Sequence, residues 1–306
     1  FEVSIEKIEN QINKLDKTKN NFESEKNDLL EKKNILLKKI YSSLSAWDKV
    51  QVARHSERPH TIDYINLIFE NIVYLHGDKK YSDDKAILGC LAKLSGQSVM
   101  IIGTEKGNSV ETRLKHNFGM AKPEGYRKAQ RLMKIANKFN IPLITFVDTA
   151  GAFPGKDAEE RGQSESIAST ILTSLNIEIP IISVVIGEGG TGGAIALATA
   201  DKILMLEHSI YSVISPEGCS SILWRSNNFV QKAADSLKLT SQDCLNNKII
   251  DSIIEEVPGG AHRFPEKQAA ILKKDLIKNL QDLQTLSGDV RRENRNKKFM
   301  NITADI

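Results

Sequence analysis

Residues 181–200 read IISVVIGEGGTGGAIALATA, and this stretch decides the fold. An apolar run leads into five glycines within seven residues: Gly187, Gly189, Gly190, Gly192 and Gly193. An Ala-rich segment follows, with Thr199 its sole polar side chain. The pattern predicts a buried strand, a tight turn and a buried helix. Glycine lets a ligand come close to the main chain, and the first N–H groups of a helix lack intrahelical partners. Such a helix start favours negative charge.

Working outward, the same texture recurs. NIPLITFVDTAGAFPG (140–155) resembles EIPIISVVIGEGGTGG (178–193) at a shift of 38 residues, with Pro142 on Pro180 and Gly151 on Gly189. Strands are expected at Ala86–Leu94, Gln97–Gly103, Ile141–Asp148, Ile179–Ile186 and 202–206, the first two joined as a hairpin near Ser95-Gly96. Helices are expected at Pro123–Asn140, Ala158–Leu175 and 194–200. This alternation predicts an α/β fold with a parallel sheet and helical crossovers. Both Gly-rich loops then fall at the carboxyl edge of the sheet, where ligands bind.

Residues 1–40 are densely charged, with apolar side chains at three-four spacing from Ile5 to Ile40 and a seam broken by Lys19, Lys26 and Lys33. They predict long helices, either a partner-binding arm or a hairpin folded back on its own domain. The expected division is a helical, coiled-coil extension over 1–45 and one α/β domain over 46–306. Residues 41–85 read as a helical link turning at Arg58-Pro59.

Composition narrows the function. A net charge of +3 gives no support to nucleic-acid binding. Cys90, Cys219 and Cys244 lie far apart, which predicts neither a zinc site nor a disulfide scaffold and fits a reducing compartment. No apolar run approaches the ~18 residues of a membrane span. The acid-containing N-terminus predicts neither a signal nor a transit peptide, hence the cytoplasm rather than the plastid stroma.

Gly187, Gly189 and Gly192 satisfy G-x-G-x-x-G, but Glu207 lies 15 residues beyond Gly192, short of the ~20 a dinucleotide site requires. A P-loop needs Lys after its last glycine, and here Gly193-Ala194 follows. An oxyanion hole needs only paired backbone N–H groups at a helix start. That suits a chain with no Ser, His or Cys in a nucleophile setting; Thr191 only loosely resembles the centre of a nucleophile elbow. The competing reading is that the glycines merely permit tight packing.

Other charged and sulfur-bearing groups have ordinary structural readings beside functional ones. Asp148 is a base or a cap of its own turn. Glu159, Glu160 and Arg161 read as a solvated helix start, and Lys122, Arg127 and Lys128 as surface charge. Arg291, Arg292, Arg295, Lys297 and Lys298 read as a solvated tail helix. Cys219 reads as a small buried residue, and His55, His208 and His262 show no metal spacing.

KPEGYRKAQRLMKIANKFNIPLITFVDTAGAFPG, AEERGQSESIA, VIGEGGTGGAIALA, YSVISPEGCSSILW and GGAHRFP occur in that order. Together they resemble the α subunit of the carboxyltransferase of multi-subunit acetyl-CoA carboxylase, over about Trp47 to His262. This chain departs in Thr149-Ala150-Gly151, where the family usually has Thr-Pro-Gly, and in Thr191, often Ser. The resemblance implies a crotonase-like fold, a superhelix of ββα units. It implies carboxyl transfer from carboxybiotin, borne on a separate carrier protein, to acetyl-CoA, giving malonyl-CoA for fatty acid synthesis. It further implies an α2β2 assembly whose β subunit carries a zinc finger and its own glycine pair, with no metal in this chain. Carried over, the N–H groups of Gly192 and Gly193 hold the biotin oxygen. Gly189 and Gly190 join them in binding, and Gly151 and Ala152 line the biotin channel. Two alternatives stay open: a free-standing acyl-CoA hydratase or isomerase using Glu188 or Glu217, and a non-catalytic assembly subunit.

Overall fold

The computed structural model describes residues 1–15 and 22–302. The expected break near Lys19 lies outside the described residues. Helices α1 (Val3–Asn13) and α2 (Phe22–Tyr41) open the chain, followed by α3 (Ala46–Ala53) and α4 (Thr61–Ile68). Three strands come next, β1 (Glu70–Tyr74), β2 (Ile87–Leu94) and β3 (Gln97–Thr104), then α5 (Val110–Lys115) and α6 (Pro123–Lys138). The central crossovers are β4 (Leu143–Thr149), α7 (Lys156–Glu160), α8 (Gln163–Asn176), β5 (Ile181–Gly190) and α9 (Thr191–Ala198). The remainder is β6 (Lys202–Leu206), β7 (Ile210–Ser212), α10 (Pro216–Trp224), α11 (Val230–Ser236), α12 (Ser241–Asn246), β8 (Ser252–Ile254), α13 (Pro265–Gln284) and α14 (Gly288–Asn301).

The strands form one sheet in the order β1-β2-β3-β4-β5-β6-β8, with β7 pairing β5. The first two pairings are antiparallel and the rest parallel. The predicted hairpin is present, with Ser95 and Gly96 both left-handed (φ 48° and 87°), as a two-residue turn requires. Strand β1 was missed: it is an edge strand, half-exposed and irregular where Asn71 is left-handed. The single helix expected over 158–175 is two, because Gly162 takes φ 81° between α7 and α8. Apolar side chains fill both faces of the sheet. One layer packs beneath α6, α8 and α9, the other beneath α4 and α13.

The sequence repeat is the sheet register. Leu143 pairs with Ile181 and Val147 with Val185, the shift of 38 residues seen in the sequence. The match then breaks: Thr149 pairs with Gly189, so β5 holds two extra residues at its carboxyl end. Gly189 is therefore not the counterpart of Gly151. Strand β5 also runs four residues past its expected end at Ile186, because β7 pairs along Glu188–Gly190 and takes the glycines into the sheet.

The N-terminal helices pack on each other and on the body. Ile5, Leu37, Tyr41 and Val52 form a small buried cluster, and Arg263 pairs with Glu2 at 2.8 Å and Glu9 at 2.6 Å. The C-terminal basic run corrects the expectation of a solvated helix. Arg295 is 1% exposed. It donates to Asp201 and to the carbonyls of Ser174, Ile177 and Ile179, closing the ends of α8 and β5. Buried carbonyls need such partners, and a guanidinium supplies several donors at once. Arg127 and Lys128 are likewise not surface charges: Arg127 pairs with Asp78, and Lys128 is buried against Asp83 and the Asp84 carbonyl.

The Arg58-Pro59 turn is anchored by a buried ion pair. Arg58 donates both terminal nitrogens to Glu256, at 2.9 and 2.6 Å, and its Nε to the Ile186 carbonyl at 2.9 Å. Burial pushes the Glu256 carboxyl up, but the Arg58 guanidinium outweighs it and holds the group at about 2, against an ordinary 4.5. A lowered folded-state value makes this stabilisation complete above pH 4.5 and removes it as the pH falls toward 2. Unfolding free energies from circular dichroism at a series of pH values are expected to fall in that window, with the slope that proton uptake on unfolding requires. In Glu256→Gln the uptake there should be smaller; an unchanged acid limb would refute the assignment. All three cysteines are buried. No helix among the described residues is long and apolar enough to cross a membrane.

Candidate active site

Two loops meet at the carboxyl edge of the sheet, the turn after β4 and the β5–α9 junction. Thr149 closes the first turn: its Oγ1 accepts from the Gly151 N–H at 3.0 Å. In the second, Gly190 is the N-cap of α9 and Thr191 sits at φ 54°. A β-branched residue there is a genuine backbone outlier, of the kind that gathers at functional sites. It turns the chain from strand to helix in one residue. The helix begins at Thr191 rather than 194, so Gly192 and Gly193 lie in its first turn, whose N–H groups have no intrahelical acceptor.

The glycines serve different ends. A Cβ on Gly187 would meet Asp148 Oδ1 at 2.4 Å, one on Gly189 would meet Tyr211 at 2.8 Å, and one on Gly190 the Ala150 carbonyl at 2.2 Å. On Gly193 it would meet the Ala152 nitrogen at 2.7 Å and the Gly151 carbonyl carbon at 2.9 Å. Tight packing therefore accounts for these four. Gly192 differs: the nearest atom to its Cβ position is Ile167 Cγ2, at 3.7 Å. Gly151 in turn faces Thr191, whose Oγ1 lies 2.7 Å from its Cβ position. The structure thus brings Gly151 and Ala152 against Thr191 and Gly193, while Gly189 and Gly190 belong to strand β5.

Beside this junction lies a buried chain of charges that sequence reasoning did not assemble. Asp148 is not a turn cap. Its Oδ2 lies 2.7 Å from His60 Nδ1, and its Oδ1 lies 2.9 Å from Lys106 Nζ and accepts from the Glu188 N–H at 3.0 Å. Lys106 reaches on to Glu188 at 2.5 Å. Arg54 Nε donates to Glu188 at 2.6 Å, and its Nη1 to Glu217 at 2.6 Å. Burial raises the Asp148 carboxyl, but Lys106 and His60 more than reverse this and hold it well below the usual range. Glu188 is likewise lowered, since Lys106 and Arg54 outweigh its burial. Burial works against charged Lys106, but Asp148 and Glu188 prevail and raise it. The bare hint in the sequence was position: Lys106 and Asp148 both end strands of the parallel sheet.

Two hollows flank the junction. One, of about 210 Å³, is lined by His60, Lys106, Arg113, Phe118, Ala150 and Glu188. The other, of about 330 Å³, is apolar and lies beside Thr191 and Ile195, against Tyr211, Val213 and Phe299. Elsewhere, His55 and His262 stack at 3.9 Å, and their ligand atoms and that of Glu2 lie within 4.8 Å of one another. This approach was invisible in sequence spacing. Arg263 and Tyr41 bond the Glu2 carboxylate, and the Glu57 N–H bonds His55 Nδ1.

Comparison with known proteins agrees with this architecture. A family model described as acetyl co-enzyme A carboxylase carboxyltransferase-like matches residues 1–303. The acetyl-coenzyme A carboxylase carboxyl transferase subunit alpha of Paramagnetospirillum magneticum is 57% identical over 263 residues, covering 86% of this chain and 83% of that one. Its counterpart in Zymomonas mobilis is 55% identical over 262 residues, covering 86% and 84%. Among solved structures, transcarboxylase 12S with hydrolysed methylmalonyl-coenzyme A superposes with a TM-score of 0.61 at 18% identity, over 76% of this chain and 44% of that one. A Pseudomonas malonate decarboxylase hetero-tetramer with coenzyme A gives 0.57 at 14% identity, over 71% and 86%. At such identities these two speak for the fold alone, the crotonase-like one. The match along nearly the whole length and the identity to curated relatives decide the family: this chain belongs to the α subunits of acetyl-CoA carboxylase carboxyltransferase.

Proposed function

We propose that this chain forms half of a carboxyltransferase site that moves a carboxyl group from carboxybiotin to acetyl-CoA, yielding malonyl-CoA for fatty acid synthesis. The observation that carries the reading is the first turn of α9. It offers backbone N–H groups at Gly192 and Gly193, with only the Ile167 side chain in van der Waals contact with the Cβ position of Gly192 and no acidic side chain in that turn. Those N–H groups are the donors for the biotin ureido oxygen, in the manner of an oxyanion hole. Carboxybiotin supplies the activated carboxyl group. Gly151 and Ala152 wall one side of its approach, and Gly189 and Gly190 fix the helix start through the β5–β7 pairing. The first N–H groups of α9 orient the ureido oxygen. The charged side chains from His60 and Asp148 to Glu217 are engaged with one another, consistent with chemistry that needs no protein nucleophile.

The second half of the site belongs to a β subunit in an α2β2 assembly, which supplies its own glycine pair for the thioester and carries the zinc finger. Biotin arrives on a carrier protein, in the cytoplasm. Residues 1–45 act as an extension clasped to the domain spanning 46–306. A free-standing hydratase is disfavoured, because Glu188 is held ionised by two cations rather than poised near neutrality.

The test is malonyl-CoA decarboxylation with a free biotin analogue as acceptor, run with this chain alone and with a matching β subunit. Activity in the mixture only is expected. A co-assembled but inactive mixture would sink the reading. Enoyl-CoA turnover by the chain alone would replace it with the hydratase.

A further inference from the structure

We propose that the 210 Å³ hollow beside β3, β4 and β5 is a binding site for one small planar monoanion of the carboxylate or bicarbonate class, held by Arg113 and His60. The site is separate from the Gly192 and Gly193 N–H groups, and its occupancy does not depend on any reading of the reaction.

Two groups facing the hollow have unspent hydrogen-bonding capacity. His60 is 6% exposed, and its Nε2 is buried without a partner. Buried polar atoms are seldom left so. Its Nδ1 is fixed by Asp148 at 2.7 Å, which aims the imidazole as a carboxylate aims a histidine in a proton-transfer pair. Arg113 spends only its Nε, on the Gly107 carbonyl at 3.2 Å. Its terminal nitrogens make no hydrogen bond among the described residues. The other cations at the hollow are committed, Lys106 to Asp148 and Glu188 and Arg54 to Glu188 and Glu217.

The ligand class follows from shape and charge. A guanidinium fork matches two oxygens of a planar anion. The carboxylates already present make a dianion costly in so small a space. One proton on His60 Nε2 offsets one added charge and turns that atom from acceptor into donor. Where His60 is neutral beforehand, anion binding therefore takes up a proton. The charged and titratable groups facing His60 are Asp148 on β4, Glu105 and Lys106 after β3, Arg54 and His55 at the end of α3, and Glu188 on β5. Burial disfavours the imidazolium, but Asp148 outweighs it and raises the His60 value, so the proton is readily accepted.

The experiment is calorimetric titration of the full chain, alone and with its β subunit, using sodium bicarbonate and sodium acetate, with chloride and phosphate for comparison. Two buffers of different ionisation enthalpy count the protons. At a pH above the His60 value, bicarbonate or acetate is expected to bind with up to one proton taken up, and Kd to rise about tenfold per pH unit there. Binding of bicarbonate assigns the site to the free ion; binding of acetate alone assigns it to a carboxylate terminus. Arg113→Gln, which changes a half-exposed side chain and leaves the fold intact, should weaken binding about tenfold or more. His60→Gln should abolish the proton uptake. Equal binding of phosphate or chloride, unchanged Kd in Arg113→Gln, uptake of no proton, or no binding at all would each overturn the proposal. None of these readouts requires turnover, so a failed carboxyltransferase assay leaves them interpretable.

Discussion

Gly193→Val is expected to reduce carboxyl transfer by about 10²–10³ and to destabilise the chain by ~1–3 kcal/mol. Both effects have one origin. The added Cβ would fall 2.7 Å from the Ala152 nitrogen and 2.9 Å from the Gly151 carbonyl carbon. These are backbone atoms, and no side-chain rotation relieves the overlap. The turn after β4 must move away from α9, separating the two loops that the site brings together. Gly192→Ala is the informative companion. Its Cβ would meet nothing closer than 3.7 Å, so the variant should melt close to the parent, and any loss of rate reports on access to the N–H groups. Rates with the β subunit and thermal melts separate the cases. Parental activity in Gly193→Val would remove the helix start from the mechanism.

Lys106→Met should cost about 3–5 kcal/mol of stability at neutral pH. The ammonium lies 2.9 Å from Asp148 Oδ1 and 2.5 Å from Glu188 Oε2. Removing it leaves two buried carboxylates with one shared cation fewer, although His60 and Arg54 remain. The pH dependence has a definite sign. In the parent both carboxyls are held below their ordinary values. Without Lys106 both rise, so the variant binds more protons than the parent as the pH falls. The deficit should shrink between pH 8 and pH 5, measured by urea melts of both proteins. A deficit independent of pH would show that packing, not charge, is lost. The glycine junction rests on the same residues, so activity should fall with stability.

The strands at the centre of the sheet were legible because buried parallel strands are continuous apolar runs, and the 38-residue repeat even carried the β4–β5 register. The helix start at Thr191 was misplaced by three residues. The signal there is backbone strain, which composition does not encode. Strand β1 was missed because it is short, half-exposed and interrupted at Asn71. The proposed site was legible only in its backbone, as a glycine pattern. Its glycines are visible as glycines, but the work of four of them, making room for Asp148, Tyr211, Ala150 and the 151–152 turn, appears only in three dimensions. The charge chain from His60 to Glu217 joins residues from α4, the β3 and β4 ends, β5, α3 and α10. No local pattern could have united them. The basic residues of α14 looked solvated because runs of Lys and Arg usually are. Arg295 is buried because uncapped carbonyls and Asp201 await it.

That last clasp bears on the order of events during synthesis. Arg295 lies 94 residues after Asp201 and 121 after Ser174, while Glu2 waits for Arg263, 261 residues downstream. The N-terminal helices and the middle of the sheet are thus both fastened by segments made much later. A nascent chain that still lacks α14 leaves Asp201 and the carbonyls of Ser174, Ile177 and Ile179 without Arg295. Release of α14 from the ribosome is thus a condition for closing this part of the sheet.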